Sequence, residues 1–173
     1  MLKYEILVVG QMKTNCYLVW DDCLKETVII DPGDEADFIS DEIEKRQLKP
    51  IGILLTHLHS DHIGAAKDLQ LIYQIPILNL PNKIFDFQII KTPGHTTGSV
   101  CFYSPTLQVV FTGDTLFKDL PARGENLDSI KKLLKLPPTT VVLPGHDEAT
   151  TIGVEAGRYS CQKTSLLLPK SSN

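Results

Sequence analysis

Thr56-His57-Leu58-His59-Ser60-Asp61-His62-Ile63-Gly64 follows directly on the apolar run Ile51-Gly52-Ile53-Leu54-Leu55 and reads HxHxDH at the end of a strand. Alternate side chains of an extended chain share a face, so His57 and His59 are placed to hold one ion from the strand's end. Asp61 and His62 lie just beyond, where the chain should turn into a helix, and can point at a second ion. The other histidines occupy similar settings. Pro93-Gly94-His95-Thr96-Thr97-Gly98-Ser99 follows the apolar segment 87–90, and Leu143-Pro144-Gly145-His146-Asp147 follows Val141-Val142. Between them, Val109-Val110-Phe111-Thr112-Gly113-Asp114 is a strand that delivers a carboxylate to a glycine-containing turn. All five histidines therefore sit in strand-end loops. A lone HxH is often coincidence; four candidate donors within six residues, joined by two more histidine loops and an aspartate loop, read as a metal site. Imidazole nitrogen and carboxylate oxygen suit zinc, iron or manganese rather than copper(I), which thiolates and thioethers select.

The rest of the chain supplies strands and helices to carry these loops. Strand-like runs at 6–9, 17–20 and 28–30, separated by polar turns, predict an opening meander. Asp31-Pro32-Gly33-Asp34 ends the third run, and a helix capped at Asp34 is expected next, with Phe38, Ile39 and Ile43 on its inner face. After the HxHxDH loop, Ile63, Ala66, Leu69 and Tyr73 fit the buried stripe of a second helix, and a short strand is expected at 77–80. The second half repeats the plan, with strands near 87–90, 100–103 and 109–111 and a helix over about 127–136. Strands interleaved with helices predict two sheets packed face to face with helices outside.

Composition sets wide bounds. At 173 residues and 42% hydrophobic content, the expectation is one domain across 1–173 with a tail from about 160. A net charge of −4 gives no support to a broad nucleic-acid footprint. Cys16, Cys23, Cys101 and Cys161 form no CxxC pair and no disulfide-rich spacing, which fits a reducing cytoplasm, with Cys16 and Cys101 as small core residues. No segment approaches the length of a membrane span. Composition leaves the oligomeric state open.

Taken in order, HxHxDH, PGHTTGS, TGDTLF and PGH resemble the metallo-β-lactamase superfamily over nearly the whole chain. The resemblance implies its α/β fold, a four-layer αβ/βα sandwich. It also implies a first metal held by His57, His59 and His95, a second held by Asp61, His62 and His146, and Asp114 bridging the two. A carboxylate at Asp114 is similar to the glyoxalase II branch. Leu116-Phe117 and Thr150-Thr151-Ile152-Gly153-Val154-Glu155 are likewise similar to small glyoxalase-II-like hydrolases.

Two cations sharing Asp114 would share a water, whose pKa falls from about 15.7 in bulk toward roughly 7. The expected reaction is hydrolysis of thioesters or related activated acyl compounds by that bridging hydroxide. Two Zn2+ are the expected cofactors, Fe or Mn the alternatives, and a small molecule the partner. β-Lactam or phosphodiester hydrolysis is expected at most as a side activity. Asp114 is the bridging group; Asp61 is a ligand that can also accept the water's proton. Ser60 and Ser99 lack a histidine free of metal duty, so no serine nucleophile is expected. Asp31 has two readings, a support for the ligand loops and a turn former. Thr56, Thr96 and Ser99 can orient ligands through their hydroxyls. Lys118, Arg123 and Arg158 read as solvated surface charges, and Asp147 stands where the resembling hydrolases carry glycine.

Departures from the family narrow the substrate by exclusion. By that resemblance the chain is expected to be too short for the C-terminal helical domain that binds glutathione in glyoxalase II proper, an expectation that argues against strict glutathione-thioester specificity. The stretch 117–128 is also shorter than the family's loop, which would open the site. Two other functions compete. Persulfide dioxygenases resemble this chain but use one iron, with His57, His95 and Asp114 at the matching positions, and a non-catalytic metal-binding module would keep the fold alone. In the tail, Ser165-Leu166-Leu167-Leu168-Pro169 is expected either to dock on protein surface or to be a loose end.

Overall fold

Alternation in the strand β2 (Thr14–Asp21) sets the layering. Cys16 and Leu18 point to one side of the sheet, and Tyr17 and Val19 to the other, and all are buried. A strand apolar on both faces must be covered on both, which requires layers above and below. The computed structural model describes residues 1–78, 85–119 and 127–166, with side chains through 159.

β1 (Leu2–Val9), β2, β3 (Glu26–Ile30) and β4 (Lys49–Leu54) form one sheet in that order. The first three strands run antiparallel and β4 lies parallel to β3. β5 (Gln88–Lys91), β6 (Val100–Ser104), β7 (Val109–Gly113), β8 (Val141–Pro144) and β9 (Thr150–Thr151) form the second sheet. There, too, an antiparallel meander is followed by a parallel pair, β7 with β8. Both halves thus follow one plan. Tyr17, Val19, Val28 and Ile30 of the first sheet pack against Phe102, Val109, Phe111 and Leu143 of the second, making the inner layer.

The outer faces carry helices. Ile39 and Ile43 of α1 (Ala36–Lys45), with Ala66 and Leu69 of α3 (Ala66–Tyr73), pack with Cys16, Leu18, Ile29 and Ile53. On the other side, Ile130 and Leu133 of α4 (Leu127–Leu133), with Ile152 of α5 (Ile152–Leu166), pack with Cys101, Tyr103, Val110 and Val142. The sandwich read from the sequence is this four-layer arrangement. Among the described residues, no helix is long and apolar enough to cross a membrane.

Several boundaries differ from the sequence expectation. α1 begins at Ala36, and Glu35, in a left-handed conformation, takes the cap position without a side-chain bond; Asp34 Oδ1 instead accepts the Glu35 N–H at 2.7 Å. Phe38 is 39% exposed, because the stripe that meets the sheet is carried by Ile39 and Ile43. The expected second helix is split into α2 (Ser60–Ile63) and α3. The split occurs where Gly64 lies against Gly33: a Cβ on Gly64 would stand 2.2 Å from the Gly33 carbonyl oxygen. α4 ends at Leu133, with Leu127 half exposed. Ile77 makes only an isolated parallel bridge to Ile53, and the end of the expected strand at 79–80 lies outside the described residues. The tail expected from about 160 continues as backbone of α5 through Leu166; Leu167, Leu168 and Pro169 lie outside the described residues.

Candidate metal centre

In each sheet the parallel pair ends on the same side, and the loops leaving those ends carry the polar residues picked out in the sequence. β4 ends at Leu54, so Thr56, His57 and His59 stand in the loop beyond it, and α2 carries Asp61 and His62. β7 delivers Asp114, β8 delivers His146, and the loop between β5 and β6 carries His95.

The seven side chains meet. His57, His59 and His95 bring one ligand atom each within 4.8 Å of one another, as do His57, His62 and Asp114, and Asp61, His62 and His146. His59 Nδ1 lies 3.1 Å from His57 Nε2 and 2.9 Å from His95 Nε2. On the other side, His146 Nε2 lies 3.2 Å from Asp61 Oδ2. Asp114 stands between the groups. Its Oδ2 is 3.5 Å from His95 Nε2, while its Oδ1 is 3.2 Å from His62 Nε2 and 3.7 Å from His146 Nε2.

Hydrogen bonds behind the ligands aim their free nitrogens forward. Asp31 accepts the Thr56 N–H at 2.7 Å and the Thr56 hydroxyl at 2.6 Å, and its Oδ2 lies 3.0 Å from His62 Nδ1. Since the Thr56 hydroxyl spends its one proton on Asp31, it can only accept from His57 Nδ1, 3.1 Å away. His57 Nε2 is then left bare toward the cluster. Likewise, when His62 is neutral, a proton on Nδ1 facing Asp31 leaves Nε2 with a lone pair. That Nε2 and Asp114 Oδ1 are buried 3.2 Å apart, and neither has a hydrogen-bond partner among the described residues. Buried polar atoms without partners are rare and call for an explanation; a cation between them would satisfy both, and all-nitrogen and oxygen donors suit a divalent metal.

Charge follows burial and neighbours. Burial, and then the nearby His62, push the His57 pKa down to about 4. Burial also works against charge on His62, but the Asp114 and Asp31 carboxylates on either side outweigh it and hold its pKa up at about 10. Burial lowers the pKa of His95. Asp114 is held below its usual range because His62 and the other imidazoles outweigh its own desolvation.

Of the supporting residues expected from sequence, Asp31 and Thr56 touch ligands directly. Ser99 does not: its hydroxyl accepts the Thr96 N–H at 3.1 Å and pairs with the Thr96 hydroxyl at 2.8 Å, bracing the turn that presents His95. Ser129 of α4 braces the same loop by donating to the Pro93 carbonyl at 2.8 Å. Lys118 pairs with Glu148, and Arg158 with Asp119 and Glu155. Arg123 lies outside the described residues. Asp147 has φ 62°, the left-handed region that explains why glycine was expected there and which aspartate tolerates better than most residues. No sequence pattern singles out Asn15, Tyr17 or Met12, all of which reach the His146 loop. Asn15 Nδ2 donates to the carbonyls of Pro144 and Asp147, both at 3.0 Å, Tyr17 donates to the Pro144 carbonyl at 2.5 Å, and the Met12 carbonyl accepts from His146 Nδ1 at 3.1 Å. An open cleft of about 600 Å³ leads to the cluster, lined by Met12, His59, Asp61, Asp114, Phe117, Lys118, His146 and Asp147.

Comparison with known proteins shows the family and the fold. The family model described as metallo-beta-lactamase superfamily matches residues 9–86 and 80–146. Hydroxyacylglutathione hydrolase GloC of Haemophilus influenzae is 34% identical over 203 aligned residues, spanning 89% of this chain and 95% of GloC. Among solved structures, the BLEG-1 B3 metallo-beta-lactamase superposes with a TM-score of 0.83 at 32% identity, covering 90% of this chain and 97% of the other. TTHA1623, solved in a di-iron-bound form, superposes with a TM-score of 0.80 at 33% identity, covering 88% and 96%.

Proposed function

The chain belongs to the metallo-β-lactamase superfamily, and from that premise we propose that it is a dinuclear metal-dependent hydrolase of thioesters or related activated acyl compounds. The observation that carries this reading is the placement of Asp114. One carboxylate turns Oδ2 toward the His57, His59 and His95 group and Oδ1 toward His62 and His146. Single-metal chemistry does not require that arrangement.

Two divalent cations bound there would supply a water acidified from a pKa of about 15.7 to near 7, and a Lewis acid for the scissile carbonyl. The chain's own groups do the rest. Asp31 and Thr56 fix the imidazoles of His62 and His57 so that their Nε2 atoms face inward. Asp61, half-buried on the cleft, is placed to accept a proton from the attacking water. Met12 and Phe117 offer apolar walls to an acyl group.

The name of the Haemophilus relative points to glutathione thioesters. The alignment spans 95% of that protein, so its substrate class is the first candidate for this chain. Zinc is the metal we assign first; iron is the alternative, supported by the di-iron form of TTHA1623.

Elemental analysis run beside a panel of thioesters, esters, lactones and β-lactams tests the reading. We expect two equivalents of divalent metal, with thioester hydrolysis lost on chelation and restored on reloading. One iron per chain with oxygen uptake on a glutathione persulfide would replace the hydrolase with a dioxygenase. Metal-loaded protein inert across the panel would reduce it to a binding module.

A further inference from the structure

His146 stands on a loop of the second sheet, but the groups that hold that loop come from the first. Asn15 and Tyr17 are two apart on β2, so their side chains share the face that looks across the sandwich. Both are buried, with 4% and 2% of their surface exposed. The Pro144 carbonyl accepts from Asn15 Nδ2 at 3.0 Å and from the Tyr17 hydroxyl at 2.5 Å. Asn15 Nδ2 also donates to the Asp147 carbonyl at 3.0 Å, and the Asn15 backbone N–H donates to the Gly145 carbonyl at 2.7 Å. Four hydrogen bonds, to the carbonyls of 144, 145 and 147, thus bracket His146. The Tyr17 ring is set in turn against Phe111, with centroids 4.9 Å apart.

The bracket presses the loop into the centre. A Cβ on Gly145 would stand 2.4 Å from Asp114 Oδ1 and 2.5 Å from His62 Cε1, so the loop backbone already lies in contact with both groups. Among the described residues no such bond ties β2 to His57, His59 or His95, whose supports are Asp31, Thr56, Ser99 and Ser129.

We infer that Asn15 and Tyr17 are positioning residues for one of the two cations, the one shared by Asp61, His62 and His146, and leave the other untouched. The inference rests on the dinuclear reading above. Polar groups that orient ligands typically contribute 10 to 100-fold to metal affinity. Loss of this clamp should therefore split the two affinities, whereas a merely structural role would weaken both together or neither.

The experiment titrates Zn2+ into chelator-stripped protein against a chromophoric competitor, for the wild type, Tyr17→Phe and Asn15→Leu. Tyr17→Phe removes one hydroxyl and keeps the ring in place, so it decides the matter even if Asn15→Leu does not fold. The wild type should take two equivalents. In the variants one equivalent should bind as in the wild type and the other about 10 to 100-fold more weakly, with hydrolysis recovered by excess Zn2+. Two equivalents bound by Tyr17→Phe with wild-type affinities, or both weakened alike, would overturn the clamp and leave the dinuclear reading standing. A wild type that takes fewer than two equivalents would overturn both.

Discussion

Asp114 is the residue on which the two donor groups depend, because its oxygens face different sets of nitrogens. On the proposed dinuclear reading, Asp114→Ala would remove the shared ligand without opening the apolar core, so metal content and hydrolysis should fall far more than thermal stability. Turnover should drop by more than the ~100-fold upper range seen when groups behind a ligand are lost. Measuring bound metal, unfolding temperature and hydrolysis on the same sample checks this. His62 carries a prediction about pH. Its pKa is raised from 6.5 in the unfolded chain to about 10 in the metal-free fold, so the charged form is the one the fold stabilises. That contribution is full below pH 6.5 and is lost as pH rises toward 10. Chelated protein should accordingly lose stability over this window, and a His62→Gln variant should lose less. The metal-loaded wild type should also be less sensitive, because a cation at Nε2 takes the proton's place. The seven side chains that converge were legible as candidates because histidine and aspartate at strand ends declare themselves by type and spacing. Asn15 and Tyr17 were not, since within Thr14-Asn15-Cys16-Tyr17 they read as ordinary strand residues, and only the folded sandwich brings them to Pro144.

At the scale of elements, the parallel pairs β3 with β4 and β7 with β8 place the ligand loops at one end of the molecule. The turn after β7 has little freedom. Gly113 has φ +49°, and a Cβ there would stand 2.2 Å from Thr56 Oγ1, the hydroxyl that orients His57. Gly113→Ala should therefore cost roughly 1–3 kcal/mol through backbone strain and the displaced threonine, and lower metal affinity as well; chemical denaturation and metal titration of the variant measure the two effects. Alternating and helical periods identified most elements, because burial on one face imposes them. They could not show the break between α2 and α3, where the apolar stripe runs on through Ile63, Ala66 and Leu69 while the backbone turns to admit Gly33. Nor could they separate Phe38 from Ile39 on α1, since the pattern does not say which edge of the stripe meets the sheet.

Across the whole molecule, the first sheet supplies His57, His59, Asp61 and His62, and the second supplies His95, Asp114 and His146, so the centre lies on the seam between the two halves. Each half buries its own helices, and the aromatic layer of Tyr17, Phe102 and Phe111 joins them. Cations shared across that seam would bind the folded chain and not the unfolded one, so metal removal should lower the unfolding temperature of the whole protein. Two-sheet layering was legible from strands interleaved with helices. The seam was legible only through resemblance to a known family, because no local pattern says that His146 returns to His62. The most direct test is a crystal structure of metal-loaded protein with anomalous scattering recorded at the metal's absorption edge. The account predicts two peaks about 3.5–4 Å apart, one among His57, His59 and His95 and one among Asp61, His62 and His146, with an Asp114 oxygen on each. A single peak, or two peaks without Asp114 between them, would contradict it.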